Sequence, residues 1–256
     1  MELLKLRRSP QKLFPRALRP WVKYRYSDHQ LFTLGGIYRL GEWVEIYRGI
    51  GAAILAAGES KRMGKPKQLL ELCSEKIVRI VAKKVLQIGF EKVVIVLGHR
   101  AWEIAELLRD LENLEVVVNN RYMDGMSTSL KEGVRALGSG LKAYMIVLAD
   151  QPFVKIDTMR RIVEEYVRRS SMGEEPLMVI PRYMGQRGNP VLISSALSSD
   201  IMMLSGDMGA RVLIQRYGDR VLYIDVEDPG ILIDIDYPED LERVREIYRD
   251  PCLTSG

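Results

Sequence analysis

Residues 55–70 read Leu55-Ala-Ala-Gly-Glu-Ser-Lys-Arg-Met-Gly-Lys-Pro-Lys-Gln-Leu-Leu70, and they contain the clearest functional signal in the chain. An apolar run ends at Gly58, a short polar loop follows, and an apolar pattern resumes at Leu69. Four cations fall within seven positions of this loop: Lys61, Arg62, Lys65 and Lys67. Small residues let a backbone approach a bulky ligand closely, and backbone N–H groups in such a loop can surround an anion. The stretch therefore predicts a strand followed by a loop that binds a polyphosphate.

Two common nucleotide-binding loops do not match this stretch. A Walker A loop places four residues between its glycines, whereas five separate Gly58 from Gly64, and Pro66 stands where a hydroxyl should bind magnesium. The dinucleotide fingerprint follows its strand, whereas Gly49 and Gly51 precede the apolar run. An ordinary P-loop NTPase and a dinucleotide-dependent dehydrogenase are therefore both disfavoured. Alternatively, the four cations lie on a solvent-exposed loop that binds no ligand.

From residue 51 onward, apolar runs alternate with amphipathic stretches. Runs typical of strands cover 52–57, 92–97, 114–118, 143–148, 177–180, 191–193, 221–226 and 231–233. Helical spacing covers 77–88, 101–109, 127–137, 156–169, 209–217 and 238–248, with Ser127 and Asp157 as candidate helix caps. This alternation predicts an α/β fold, a mostly parallel twisted sheet between two layers of helices.

Polar residues follow several of these predicted strands. In open α/β sheets, ligands bind at the carboxyl ends of strands, so the residues there are expected to converge. Asp150 ends the apolar run 144–149, and a carboxylate at the tip of a buried strand suits a metal ion. Asp234 and Asp236 follow the run 231–233, and a second carboxylate from there would complete a magnesium site. One of the two is expected to cap the last helix instead.

Phosphate contacts are predicted from both the first loop and a later one. Arg62 offers a planar fork to phosphate oxygens, and Lys67 offers a mobile point charge. Residues 125–129 read Gly-Met-Ser-Thr-Ser and supply hydroxyls and backbone donors at the start of a helix, where anions bind. Helix capping by these hydroxyls is an equal alternative. Asn119 or Asn120 would either read a base edge or form a turn.

These motifs resemble the MobA-like NTP transferases, whose signature is L-A-[AG]-G-x-S-x-R-M-G-x-x-K-x-L-L. Residues 120–133, 148–152, 187–190, 206–211 and 234–241 resemble the family's later motifs in the same order, so the resemblance covers about residues 51–248. Within the family, the pattern is most similar to the molybdenum cofactor cytidylyltransferases. The resemblance implies a Rossmann-like fold of the nucleotide-diphospho-sugar transferase type. It also implies a Mg²⁺-dependent transfer of CMP from CTP to molybdopterin, with release of pyrophosphate.

The resemblance also assigns roles to residues. Nucleotide contacts fall on Leu55, Ala56, Ala57, Gly58, Arg62, Lys67, Asn120, Gly125, Ser127 and Ser129. Lys67, Arg62 and Asp150 would be catalytic, and Asp150 with Asp236 would bind the metal, with Asp234 as the runner-up. Acceptor contacts fall on Gln151, Gly188, Asn189, Pro190, Asp207 and Arg211. Ala57 favours CTP, because Leu-Ala-Ala-Gly goes with cytidylyl transfer in this family and Leu-Ala-Gly-Gly with guanylyl transfer.

Several alternatives stay open at this point. GTP could be the donor, another phosphorylated molecule could be the acceptor, or the chain could bind nucleotides without catalysis. Molybdoenzymes or their chaperones are expected as partners that receive the product, and neither a nucleic acid nor a membrane is expected. Trp21, Tyr24 and Tyr26 lie near Lys23 and Arg25 and could stack bases, which is weak evidence for a nucleic-acid partner.

The charge is unevenly distributed along the 256 residues. Residues 1–50 contain ten Lys/Arg against four Asp/Glu, whereas the remainder is slightly acidic. We therefore expect three parts: a basic and poorly ordered or loosely packed extension (1–50), a nucleotidyltransferase domain (51–250) and a tail (251–256). Residues 31–47 could form a small hairpin around Gly35-Gly36. Cys73 and Cys252 lie far apart without a motif, which favours a reduced, cytoplasmic setting.

Overall fold

The computed structural model describes residues 30–33, 36–39, 46–59, 66–235 and 239–240. Two of the predicted site residues, Arg62 and Asp236, lie outside these ranges. The chain divides into two units, Met1–Glu45 and Ile46–Gly256. In the first unit, strands β1 (Gln30–Thr33) and β2 (Gly36–Arg39) pair antiparallel, with Thr33 opposite Gly36. The predicted hairpin around Gly35-Gly36 is confirmed.

The second unit contains a central sheet and its helices. The strands, in chain order, are β3 (Ile50–Ala56), β4 (Glu71–Leu72), β5 (Glu75–Lys76), β6 (Lys92–Leu97), β7 (Glu115–Val118), β8 (Ala143–Leu148), β9 (Met178–Tyr183), β10 (Gln186–Arg187), β11 (Val191–Ser194) and β12 (Val221–Asp225). The helices are α1 (Ile77–Leu86), α2 (Ala101–Leu108), α3 (Met126–Leu137), α4 (Ile156–Ser171), α5 (Ser198–Met203) and α6 (Arg211–Arg216). β4 and β5 form a separate small hairpin.

Within the described residues, eight strands form one sheet in the order β10-β9-β11-β8-β3-β6-β7, and β12 also pairs with β9. Strands β3, β6, β7 and β8 are mutually parallel, and β12 is parallel to β9. Strand β11 runs antiparallel to both of its neighbours, β8 and β9. The predicted α/β fold with a mostly parallel sheet is confirmed.

The antiparallel strand follows from a tight turn after β9. Met184 and Gly185 connect β9 to β10, and both have positive φ, +49° and +78°. Two-residue hairpin turns favour positive φ at both positions, because this twist matches that of the strands. The chain therefore reverses at this turn and returns as β10 and then β11.

Small residues let helix α3 approach the sheet closely. A Cβ at Gly133 would lie 2.9 Å from the Cβ of Ala53 and 3.3 Å from a methyl group of Val96. Apolar side chains of α3, α5 and α6 share one core with those on this face of the sheet. Helix α3 follows β7 after a short loop, so its start lies at the carboxyl edge of the sheet.

Several features differ from the sequence-based expectations. The predicted strand at 231–233 is wrong: residues Pro229–Leu232 form a 3₁₀ turn, which begins where the Asp228 carboxylate accepts the Gly230 N–H at 3.0 Å. Asp-Pro-Gly is a turn-forming sequence, and its geometry overrides the apolar run. Helix α5 was not predicted. Cys73 is disulfide-bonded, which does not agree with the expected reduced state.

Among the residues that the structure describes, no helix is both long and apolar enough to cross a bilayer.

Candidate functional site

The predicted site residues gather at the carboxyl ends of neighbouring strands. Strand β3 ends at Ala56, two residues before Gly58, and β8 ends at Leu148, two residues before Asp150. β3 and β8 are adjacent and parallel, and the Ala149 N–H donates to the Leu55 carbonyl at 3.1 Å. The first loop and the Asp150 turn therefore leave the sheet side by side.

Lys67 and Asp150 form an ion pair across this edge. The Lys67 Nζ donates to Asp150 Oδ2, although the two residues are 83 positions apart. The two side chains are only 20% and 15% exposed, so solvent screens the pair weakly. The second oxygen, Asp150 Oδ1, is buried and accepts no hydrogen bond from the described residues. Two residues predicted from separate motifs are thus in contact.

Gln68 holds the start of the first loop and was missed by the sequence analysis. Its side chain is buried, and its Nε2 donates to the carbonyls of Ala56 at 3.2 Å and Gly58 at 3.1 Å. These bonds tie the residue after Lys67 back to the end of β3. A glutamine in a basic loop gives no sequence signal for burial, because glutamine is usually exposed.

Gln151 connects the Asp150 turn to Asp234, the runner-up for the second metal ligand. Its Nε2 donates to Asp234 Oδ1 at 2.6 Å, and the Ile235 N–H donates to the Asp150 carbonyl at 3.0 Å. Gln151 is buried, and its Oε1 has no partner among the described residues. Residues 234–235 are therefore fixed beside Asp150, and the choice between Asp234 and Asp236 as a metal ligand stays a prediction.

The residues around Asp150 fit a hard divalent cation. Magnesium takes carboxylate oxygens and completes its coordination with water and phosphate oxygens, so a single buried carboxylate oxygen without a hydrogen-bond donor suits it. The described residues contain no group of three or more His, Cys, Asp or Glu that could hold a metal.

The start of helix α3 is already occupied by another loop. The Ser127 N–H donates to the Gly206 carbonyl at 3.1 Å, and the Met126 N–H donates to Asp207 Oδ1 at 3.3 Å. Gly125 has φ +107°, and a Cβ there would lie 2.3 Å from the Gly206 carbonyl carbon. An anion could reach these two N–H groups only by displacing residues 206–207.

The hydroxyls of this helix have different environments. The capping role expected for Ser127 is wrong, because Gly125 is the N-cap residue, and the Ser127 Oγ is buried without a partner among the described residues. Asp157 also lies inside its helix rather than at the N-cap, which is Lys155. Ser129 is buried and accepts a hydrogen bond from Asn119.

The two neighbouring asparagines separate into two roles. Asn119 is buried, and its Nδ2 donates to Thr128 Oγ1 at 2.8 Å and Ser129 Oγ at 3.0 Å. Its Oδ1 accepts the Arg121 N–H at 2.9 Å. Asn119 therefore forms the turn and connects it to α3, whereas Asn120 is exposed and stays the candidate for a nucleotide contact.

The predicted acceptor residues lie in two places. Gly188 packs against Ile231, because a Cβ at Gly188 would lie 2.4 Å from the Ile231 carbonyl oxygen. The Asn189 N–H donates to that carbonyl at 3.1 Å, and the buried Pro190 follows a cis peptide bond. Asp207 lies instead at the start of α3, and Arg211 is the exposed first residue of α6.

Comparison with known proteins identifies related chains. Residues 52–221 match the family described as MobA-like NTP transferase domain. Nicotine blue oxidoreductase of Paenarthrobacter nicotinovorans is 32% identical over 203 residues, which are 78% of this chain and 95% of that protein. Molybdenum cofactor cytidylyltransferase of Escherichia coli K12 is 27% identical over 201 residues, 78% of this chain and 98% of that protein.

A solved structure supports the same relationship. The manganese complex of Rv0371C from Mycobacterium tuberculosis H37Rv matches this structure with a TM-score of 0.62 and 26% sequence identity. The match covers 78% of this chain and 99% of that one. The resemblance seen in the motifs is thus confirmed by the family match and by the fold.

Proposed function

Because the chain belongs to the MobA-like NTP transferase domain family, a family of nucleotidyltransferases, we propose that it transfers CMP from CTP to molybdopterin. A phosphate oxygen of molybdopterin attacks the α-phosphorus of CTP. A new P–O bond forms, the bond to the β-phosphate breaks, and pyrophosphate leaves. The observation that carries this proposal is the contact between Lys67 and Asp150, with one oxygen of Asp150 left without a hydrogen bond.

Lys67 is the proposed electrostatic stabiliser of the reaction. Nucleotidyl transfer depends mainly on positioning and on neutralising charge that develops on phosphate oxygens. Lys67 stands at the end of the first loop, and its ammonium is mostly shielded from solvent. Arg62 belongs to the same loop and is proposed to bind the phosphates with it. Gln68 contributes by holding the backbone of Ala56 and Gly58, which the nucleotide would approach.

Asp150 is the proposed main ligand of a divalent cation. When bound, the cation would neutralise phosphate charge and help to align the reacting groups. Asp150 Oδ1 would provide the first oxygen, and Asp236 or Asp234 the second. The relative solved with manganese supports a divalent metal in this family, and magnesium is our proposal for this chain.

The choice of CTP over GTP as the donor rests on Ala57. This residue is buried, and its carbonyl accepts the His99 N–H at 3.3 Å, so the loop cannot easily shift to accept a larger base. A methyl group in place of hydrogen narrows the approach and favours a pyrimidine over a purine. GTP as donor, or another phosphorylated acceptor, remains the competing form of the proposal.

The experiment that tests the proposal is a product analysis. The protein is incubated with each NTP, Mg²⁺ and molybdopterin, and the products are identified by mass and by pyrophosphate release. We expect a cytosine dinucleotide and pyrophosphate only in the presence of CTP, and a strong loss of both in Lys67→Ala.

The other outcomes separate the alternatives. A guanine dinucleotide would overturn the choice of CTP but keep nucleotidyl transfer. NTP binding without any pyrophosphate would instead indicate a non-catalytic nucleotide-binding protein. Because one relative is named an oxidoreductase, redox turnover without pyrophosphate release would show that this chain performs different chemistry from that proposed.

A further inference from the structure

The residues after β8 carry the proposed metal ligand but form no regular structure. Residues 150–154, called here the 150–154 segment, connect β8 to α4 without a helix or strand. The segment begins with Asp150 and Gln151. Because the segment has no ladder or helix of its own, its shape must be set by bonds from other elements.

Lys84 of helix α1 provides two of these bonds. Its Nζ donates to the carbonyl of Pro152 at 2.7 Å and to that of Val154 at 3.2 Å. The lysine is only 3% exposed, and lysines are seldom fully buried. Burial lowers the pKa of Lys84 to about 8, and the charge of Asp228 counteracts this shift.

Asp228 fixes the other side of the segment. This buried carboxylate accepts hydrogen bonds from the Lys155 N–H at 2.9 Å and from Thr158 Oγ1 at 2.6 Å. Gly230 packs against the Phe153 carbonyl, because a Cβ at Gly230 would lie 2.3 Å from that oxygen. The segment is thus held between helix α1 and the turn that begins at Asp228.

Helix α1 is also bonded to the chain near Lys67, the partner of Asp150 in the ion pair. The 3₁₀ turn that carries Lys67 ends at Leu69, and the Ile77 N–H at the start of α1 donates to the Leu70 carbonyl at 2.9 Å. Helix α1 is therefore hydrogen-bonded to the chain near Lys67 at its start. Near its end, it is hydrogen-bonded to the 150–154 segment.

We propose that Lys84 is a positioning residue for the nucleotidyl transfer site: its hydrogen bonds to Pro152 and Val154 place the Asp150 carboxylate for Lys67 and a divalent cation. This inference rests on the proposed function. A buried charge is costly, and an apolar side chain of similar size often gives equal or greater stability. The hydrogen bonds to two carbonyls near Asp150 therefore explain the buried lysine at position 84 better than a gain in folding stability does.

The test compares Lys84→Met with Lys83→Met. Lys83 is the preceding residue of the same helix, and its partly exposed side chain pairs with Glu75, so this control makes the same chemical change away from the segment. In Lys84→Met we expect the Mg²⁺ concentration for half-maximal activity to rise about tenfold, because two charge-assisted bonds are lost. The KM for the nucleotide should stay within about twofold, since the first loop is unchanged.

A second measurement needs no ligand and no activity. Amide hydrogen exchange of peptides that cover residues 149–156 should be about tenfold faster in Lys84→Met than in the parent protein. Lys83→Met should match the parent in both measurements. If the parent itself makes no nucleotidyl product, the proposed function fails, and hydrogen exchange still decides whether Lys84 holds the segment.

A folded Lys84→Met with parent-like Mg²⁺ dependence would overturn the proposal, and so would an equal rise in the KM for the nucleotide. If Lys84→Met does not fold, Lys84→Gln replaces it, because its amide keeps a donor but ends one atom short of the lysine Nζ. Parent-like Mg²⁺ dependence and exchange in a folded Lys84→Gln would then reject the positioning role.

Discussion

The edge around Asp150 and the start of helix α3 are both predicted to bind the nucleotide, yet they differ in their hydrogen bonding. At the first region, Asp150 Oδ1 and Gln151 Oε1 are buried without partners among the described residues. At the second region, the N–H groups of Met126 and Ser127 are bonded to residues 206–207. Buried polar atoms are costly unless they are satisfied, so unpaired ones beside a predicted site are candidate ligand contacts.

The two regions would therefore respond differently to a nucleotide. At the Asp150 region, hydrogen bonds from Gln68, Gln151 and Lys84 hold the surrounding residues in place and leave Asp150 Oδ1 without a donor among the described residues. The start of α3 offers its N–H groups only after residues 206–207 move. The buried Ser127 Oγ is an exception there, because it lacks a partner within the described part of the chain.

The strongest test of the Asp150 region is Asp150→Asn. Asparagine keeps the shape but removes the charge that a hard cation needs. We expect turnover to fall by about 10³-fold, at the upper end of the loss for a single electrostatic group. Turnover is measured against Mg²⁺ concentration, and circular dichroism checks the fold. Magnesium–NTP binding as tight as in the parent would show that Asp150 is not the ligand.

Lys67→Ala should have the next largest effect. Removing the ammonium takes away a contact with the phosphates in the transition state and leaves Asp150 without its ion-pair partner. We expect turnover to fall by roughly 10²-fold while the protein stays folded. Steady-state kinetics at saturating nucleotide measures this effect. Near-parental turnover would show that Lys67 does not act on the phosphates.

The start of helix α3 is tested by Gly125→Ala, with Gly138→Ala as the control. Both glycines have positive φ, but a Cβ at Gly125 would collide with Gly206, whereas a Cβ at Gly138 has nothing within 4 Å. Both variants carry backbone strain, and Gly125→Ala should lose about 1–3 kcal/mol more free energy of unfolding from overpacking. Denaturant unfolding measures the difference. Equal losses would mean that residues 206–207 are not packed tightly against α3.

The smallest expected effect is that of Ala57→Gly on the choice of donor. Removing one methyl group should shift the ratio of kcat/KM for CTP to that for GTP by about tenfold toward GTP, within the range for a single methyl-sized difference. Competition between the two nucleotides at equal concentration, with products identified by mass, measures this ratio. An unchanged ratio would instead assign base selection to residues 119–129, which include the start of α3.

Most of the sheet was predictable, because strand burial follows local apolar runs. The predicted runs 92–97 and 143–148 coincide with β6 and β8. The run at 231–233 failed because the Asp228 carboxylate and Pro229 favour a turn, and the antiparallel direction of β11 depends on the tight turn at Met184-Gly185. The periodicity of apolar residues carries no information on either of these two turns.

The chemistry of the site was predictable in part. Lys67 and Asp150 were predicted because a cation after a small-residue loop and a carboxylate at a strand end are local patterns. Gln68 and Lys84 were missed, since glutamine and lysine are usually exposed, and only packing reveals that they are buried.

Residue type and spacing are local properties, and they were enough to indicate the α/β class, the family motifs and the phosphate-binding loop. The contacts that make a site depend on the tertiary structure, because they join residues far apart in sequence. Lys67 meets Asp150 across 83 positions, and Gln151 meets Asp234 across the same separation. Residues 206–207 likewise reach the start of α3 from another part of the chain. Such contacts are set by the order of strands and by the packing of helices on the sheet, which no local pattern encodes.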